Sequence, residues 1–150
     1  MTPLLAIDPG TTDSAWVIWD GSIVGHNKWS NETILHEIRM GRFDVCGLLA
    51  VEMISGYGLP VGNETFMTCF WIGRFVEAWD VMGRPWRFIY RKEVKRELCG
   101  NATARDSHVR QALIDRVGPQ GTKKAPGPTY GLKGDEWSAL AVAVVAAGAP

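Results

Sequence analysis

Residues 4–26 read LLAIDPGTTDSAWVIWDGSIVGH, three apolar runs separated by two turns. Leu4 to Ile7 is the short, unbroken apolar run of a central strand, Ala15 to Trp19 is a second strand and Ile23 to His26 a third. The Asp20-Gly21 pair favours a type I′ turn, which closes a tight antiparallel hairpin between the last two. The chain therefore opens as a meander. Asp8 finishes its first strand and is followed by Pro9-Gly10-Thr11-Thr12, a turn that lets backbone and ligand approach closely.

Beyond the meander the pattern changes period. Ser30 or Asn31 can cap a helix with Ile34, Leu35 and Ile38 on one face, ended by Gly41. A fourth strand runs from Gly47 to Glu52, and Ile54 to Asn63, with Gly56, Gly58, Pro60 and Gly62, is a loop. Glu64 to Met82 is the longest helical stretch and is apolar nearly all round, which predicts that a second copy of the chain covers the surplus, the alternative being its own neighbouring helices. Trp86 to Tyr90 makes a fifth strand. A basic helix from about Lys92 to Cys99 stops at Gly100-Asn101, and Thr103 heads another that ends at Gly118-Pro119. Asp106 in its first turn suits the helix dipole. Residues 118–134 form a long loop, and Ala139 to Ala147 a small-residue helix able to pack tightly on a sheet. The order predicts one α/β domain over residues 1–150, with a five-stranded mixed sheet flanked by helices.

Net charge is zero, yet the charges are segregated. Residues 1–83 carry 4 Lys/Arg against 10 Asp/Glu, residues 84–133 carry 12 against 4, and residues 134–150 carry none against 2. That polarity fits cations held by one surface and a polyanion by another, or simply solvated helices. Cys46, Cys69 and Cys99 lack the paired spacing of a zinc site and read as reduced thiols in a cytoplasmic protein. No apolar run approaches the roughly 18 residues needed to span a bilayer, and Met1-Thr2-Pro3 does not begin a signal segment. A membrane partner is not expected, nor a small-molecule substrate.

Three carboxylates stand at element ends: Asp8, Glu52 after Leu48-Leu49-Ala50-Val51, and Asp135 before Trp137 to Val142. Each alone has an ordinary explanation, Asp8 as a turn residue, Glu52 as a solvated strand end and Asp135 as a helix cap. Together they match a site in which two Mg²⁺ ions about 4 Å apart grip a phosphodiester, one activating water and the other stabilising the leaving 3′ oxygen. Asp8-Pro9-Gly10-Thr11-Thr12 is also similar to the first phosphate loop of actin-like kinases, but that two-domain fold needs a longer chain.

The combination Asp8-Pro9-Gly10, Glu52, Val94-Lys95-Arg96-Glu97-Leu98-Cys99-Gly100-Asn101 with Ala104-Arg105-Asp106, and Asp135-x-x-Ser138-Ala139-Leu140-Ala141-Val142-Ala143 resembles RuvC-type Holliday junction resolvases. Val51 to Ile54 with Tyr57-Gly58, Trp71 to Trp79, and Gly121-Thr122-Lys123-Lys124-x-Pro126-Gly127-Pro128 resemble the phage-borne branch. The resemblance covers nearly the whole chain. It implies a ribonuclease-H-like fold, a homodimer through the helix at 64–82, and Mg²⁺- or Mn²⁺-dependent nicking of four-way DNA junctions. It places Asp8, Glu52 and Asp135 on metal-binding acidic positions and Lys95 on a basic position near the active site. Ser138 stands where cellular members carry another Asp; it shares a helix face with Asp135 but brings no charge. Glu136 points about 100° away on an ideal helix and could be a fourth ligand only if the first turn is irregular.

Charge and resemblance together nominate Arg91, Lys92, Lys95, Arg96, Arg105, Arg110, Lys123 and Lys124 as contacts to DNA phosphates. Tyr57 can stack on an unpaired base or anchor its own loop. The same carboxylates could instead cut RNA or flap and fork DNA, and a third alternative is a branched-DNA-binding protein whose site has decayed at Ser138.

Overall fold

Leu4–Asp8 (β1) lies mid-sheet because every side chain from Leu4 to Ile7 is buried, an arrangement open only to a strand covered on both faces. In this computed structural model, which describes residues 1–148, β1 pairs antiparallel with Asp13–Trp19 (β2), and β2 antiparallel with Ile23–Ser30 (β3). On its other side β1 runs parallel to Leu48–Met53 (β4), and β4 parallel to Trp86–Tyr90 (β5). The sheet order is β3-β2-β1-β4-β5.

Parallel neighbours need crossovers, and helices supply them on both faces. Asn31–Arg39 (α1) and Asn63–Asp80 (α2) cover one face, where Leu5, Ile7, Leu49 and Val51 meet Phe75 and Trp79. Arg91–Cys99 (α3), Asp106–Val117 (α4) and Glu136–Gly148 (α5) cover the other, over Leu4, Ala6, Ala50 and Ile89. Ala139, Ala141 and Ala143 are fully buried, so α5 lies close against β1 and β2. The architecture is the α/β one expected.

Local details differ from the reading of the sequence. The hairpin loop has three residues, because Trp19 pairs with Ile23; Asp20 accepts hydrogen bonds from the Ser22 amide and hydroxyl, and Gly21 takes φ 106°. The third strand runs on to Ser30, whose hydroxyl caps α1 by accepting the Thr33 N–H. Thr103 does not head α4: its amide and hydroxyl both turn back to Asn101 Oδ1, and the helix begins after Arg105, whose amide donates to His108 Nδ1. Residues 118–134 are held by local bonds, with Gly121 bridging Pro126, the Gly127 N–H donating to the Gln120 carbonyl and buried Thr129 donating to Gly118. No helix among the described residues is long and apolar enough to cross a membrane.

Candidate active site

The pleat decides where the first two carboxylates point. Side chains alternate along a strand, and Leu4 and Ala6 face α5, so Asp8 faces it too. Ala6 pairs with Ala50 in the parallel register, which puts Glu52 on the same face, one step beyond the paired Ile7 and Val51. The two carboxyl groups therefore meet, and Glu52 acts on Asp8 both as a charge and as a hydrogen-bond acceptor for its protonated form.

The turn after Asp8 is fixed from behind. Gly10 N–H donates to Ser14 Oγ, Ser14 Oγ donates to Asn31 Oδ1 over 2.5 Å, and Asn31 Nδ2 returns to the Gly10 carbonyl. Ser14 and Asn31 are buried, so this closed set of bonds leaves the turn little freedom. A β-carbon at Gly10 would lie 2.3 Å from the Asp13 carbonyl oxygen, which is why the position needs glycine.

Burial, the Glu52 hydrogen bond and the negative charges of Glu52 and Asp135 together push the Asp8 carboxyl up to about 9. Arg91 opposes this only partly. It is the first residue after β5, emerging beside Glu52 because Ile89 pairs with Glu52, and its Nη1 stands 3.8 Å from Glu52 Oε1. The Arg91 Nη2 donates to Asp106 Oδ1, whereas the buried Nη1 has no hydrogen-bond partner. Two open clefts meet at this guanidinium. One, of about 240 Å³, is lined by Asp8, Glu52, Met53 and Tyr57; the other, of about 510 Å³, by Asp106, Arg110, Asp135, Trp137 and Ser138.

Asp135 lies near enough for its charge to act on Asp8, but its carboxylate is bonded to Lys28, with Nζ 2.8 Å from Oδ2. Among the described residues no three carboxylate, imidazole or thiol groups are drawn into a cage; two carboxylates converge and the third stands at the rim. Glu136 turns aside, as the ideal-helix angle has it. It is buried and bonded to His26 Nδ1 on β3, so it faces away from Asp8 and Glu52 and is not placed as a fourth ligand. Ser138 lines the cleft beside Asp135.

The basic candidates divide. Lys95 follows Arg91 by one helical turn, so the two share a helix face, and its charge acts on Asp106 at the edge of the larger cleft without lining it. Arg110 lies 4.5 Å over the Trp137 ring in that cleft, and Lys92 4.4 Å over the Tyr57 ring at the smaller one. Tyr57, half exposed, is the one non-glycine residue with positive φ, 50°, among the described residues. Arg96 and Arg105 are exposed on α3 and before α4, and Lys123 and Lys124 stand in the Gly121–Pro126 turn, lining neither cleft. Lys28 and His26 escaped the sequence reading because their strand was ended at His26; period-two alternation through Ser30 would have put both on one face.

No protein-family model and no curated protein matches the chain. Among solved structures it is similar to "Thermus thermophilus RuvC structure", at 19% identity and TM-score 0.71, over 97% of this chain and 93% of that one. It is equally similar to "T. thermophilus RuvC in complex with Holliday junction substrate", at 20% identity and TM-score 0.72, over 98% and 93%. The chain has the RuvC fold. Within this fold Asp8 and Glu52 sit near the ends of adjacent parallel strands and Asp135 just before the helix packed across them.

Proposed function

We propose that this chain is a homodimeric, metal-dependent endonuclease that hydrolyses phosphodiester bonds in four-way (Holliday) and other branched DNA. The Asp8–Glu52 pair carries this reading: two carboxyl groups that repel each other's charge, half-buried at parallel strand ends, are a costly arrangement that a divalent cation relieves. An all-oxygen donor set fits Mg²⁺ or Mn²⁺ rather than zinc. Asp8, Glu52 and Asp135 would hold one or two such ions, which when bound supply an activated water and stabilise the charge on the leaving oxygen. Ser138 would add a neutral hydroxyl beside them.

The chain's own cations would do the rest. Lys95 and Arg110 would take phosphates beside the larger cleft, and Arg91, which lines both clefts, would meet a phosphate next to the carboxylates. Lys92, Arg96, Arg105, Lys123 and Lys124 would extend the contact to the junction arms, and Tyr57 would meet bases near the smaller cleft. Phe66, Met67 and Phe70 are exposed along α2, as are Leu59 and Val61 of the preceding loop, and this apolar surface suits a twofold partner. The free thiols fit a reducing cytoplasm.

A second reading, a branched-DNA-binding protein without cleavage, is favoured by the Asp135–Lys28 bond and by Ser138. Incubating a labelled four-way junction with the protein and Mg²⁺ or Mn²⁺, beside duplex, flap and RNA–DNA hybrid, separates the two. Symmetric nicking of the junction, abolished in Asp8→Asn with binding retained, is the expected result. Tight binding with no cut under either metal would favour the second reading. Preferential cutting of flap or hybrid would move the substrate away from junctions.

A further inference from the structure

His26 and Lys28 pair across the sheet with Val17 and Ala15, both buried beneath α5, so the two cation-forming side chains rise on that helix's side. There they meet consecutive carboxylates. His26 Nδ1 bonds Glu136 Oε1, and Lys28 Nζ lies 2.8 Å from Asp135 Oδ2. The surroundings of the two pairs differ sharply. The Glu136 side chain is 9% exposed, whereas those of Lys28 and Asp135 are 48% and 55% exposed, so water and ions compete freely for the second pair alone. Asp13 also acts on the Lys28 ammonium, which therefore keeps a favourable neighbour when Asp135 leaves it.

We infer that Lys28 is a positioning residue for Asp135: its ammonium holds the carboxylate in the absence of a divalent cation and gives it up when one enters, while His26 and Glu136 pin the start of α5. The inference rests on the metal-binding reading of Asp8, Glu52 and Asp135. One anchored and one exchangeable bond explain why adjacent acidic residues take separate partners on one strand. The anchored pair keeps the backbone in place, so only the Asp135 side chain has to turn.

Mn²⁺ titrated into the protein without DNA, with free ion followed by electron paramagnetic resonance, tests this apart from cleavage. Lys28→Met is expected to tighten Mn²⁺ binding about two- to fivefold, the range set by one exposed ion pair. Lys28→Arg, which can keep the bond, should leave affinity at the wild-type value. In an Asp135→Asn background Lys28→Met should change nothing. Unchanged or weaker binding in Lys28→Met overturns the inference, and so does an equal gain in the Asp135→Asn background, which would reduce Lys28 to a general charge effect. A wild-type protein that binds no Mn²⁺ would instead sink the metal reading itself, and this inference with it.

Discussion

Asp8→Asn should stabilise the metal-free protein while destroying any cleavage, because the native carboxyl is held in the protonated form against its ordinary tendency. The sign follows from proton counting. A carboxyl pushed from 3.8 up to about 9 holds a proton in the folded state that the unfolded chain releases, so stability falls as pH rises between those values. At about 1.4 kcal/mol per pH unit the penalty at pH 7 has a ceiling of about 4 kcal/mol. The interaction with Glu52 and the partial hydration of Asp8 reduce this to on the order of 2 kcal/mol. An asparagine keeps the hydrogen bond to Glu52 and needs no proton. In a chelator, at pH 8, the variant should melt about 5 °C above the wild type. The gap should close as pH falls below the unfolded value of 3.8, where both folded and unfolded Asp8 are protonated. Mg²⁺ or Mn²⁺ should raise the wild-type melting temperature and leave Asp8→Asn nearly unmoved. A variant that melts below the wild type in chelator, or a gap independent of pH, would refute the picture of a repelling pair in which Asp8 is held protonated.

Other perturbations test the parts around that pair. Arg91→Met removes the guanidinium between Glu52 and Asp106, and urea titration should show a loss of about 1 to 3 kcal/mol; no loss would mean the ion pairs are idle. Lys95→Ala should weaken junction binding and lower the slope of log affinity against log salt by about 1, as removal of one phosphate contact does; an unchanged slope takes Lys95 off the list of contacts. Gly10→Ala forces a β-carbon to within 2.3 Å of the Asp13 carbonyl, so the turn must shift. Calorimetry of Mg²⁺ binding to that variant should show affinity reduced at least tenfold, and wild-type affinity would mean the turn does not position Asp8. Phe70→Glu puts a charge in the exposed apolar face of α2, and light scattering should report a monomer where the wild type is a dimer; an unaltered mass would locate the interface elsewhere.

The central strands were legible because burial on both faces leaves an unmistakable record: Leu4 to Ile7 and Leu48 to Val51 contain no polar residue, and both lie mid-sheet. The edge was not. From Asn27 to Ser30 the third strand is partly solvated on an outer position, its polar residues carry no strong periodic signal, and its pairing is visible only in the register with Asp13 to Trp16. The hairpin turn and the start of α4 were misread for a common reason. Asp20 and Asn101 each satisfy amides two residues ahead, and such side-chain bonds compete with the backbone turn or helix that the residue type alone would suggest.

The same distinction explains what could be read of the site. The pleat is a local rule, so once β1 and β4 are parallel neighbours, Asp8 and Glu52 must share a face, and the sequence carries that much. The aim of a side chain at a helix start is not local. Glu136 turns to His26, 110 residues away, and Asp135 to Lys28, 107 residues away, and both partners stand on the strand whose end was missed. An ideal-helix angle placed Glu136 off the cleft, but only the β3 partner says where it goes. Three acidic residues can thus be assigned to one end of a sheet from sequence, while the division between two that converge and one held at the rim depends on an edge strand's pairing. That division is also the feature most open to change when a cation arrives, since it hangs on one solvent-exposed ion pair.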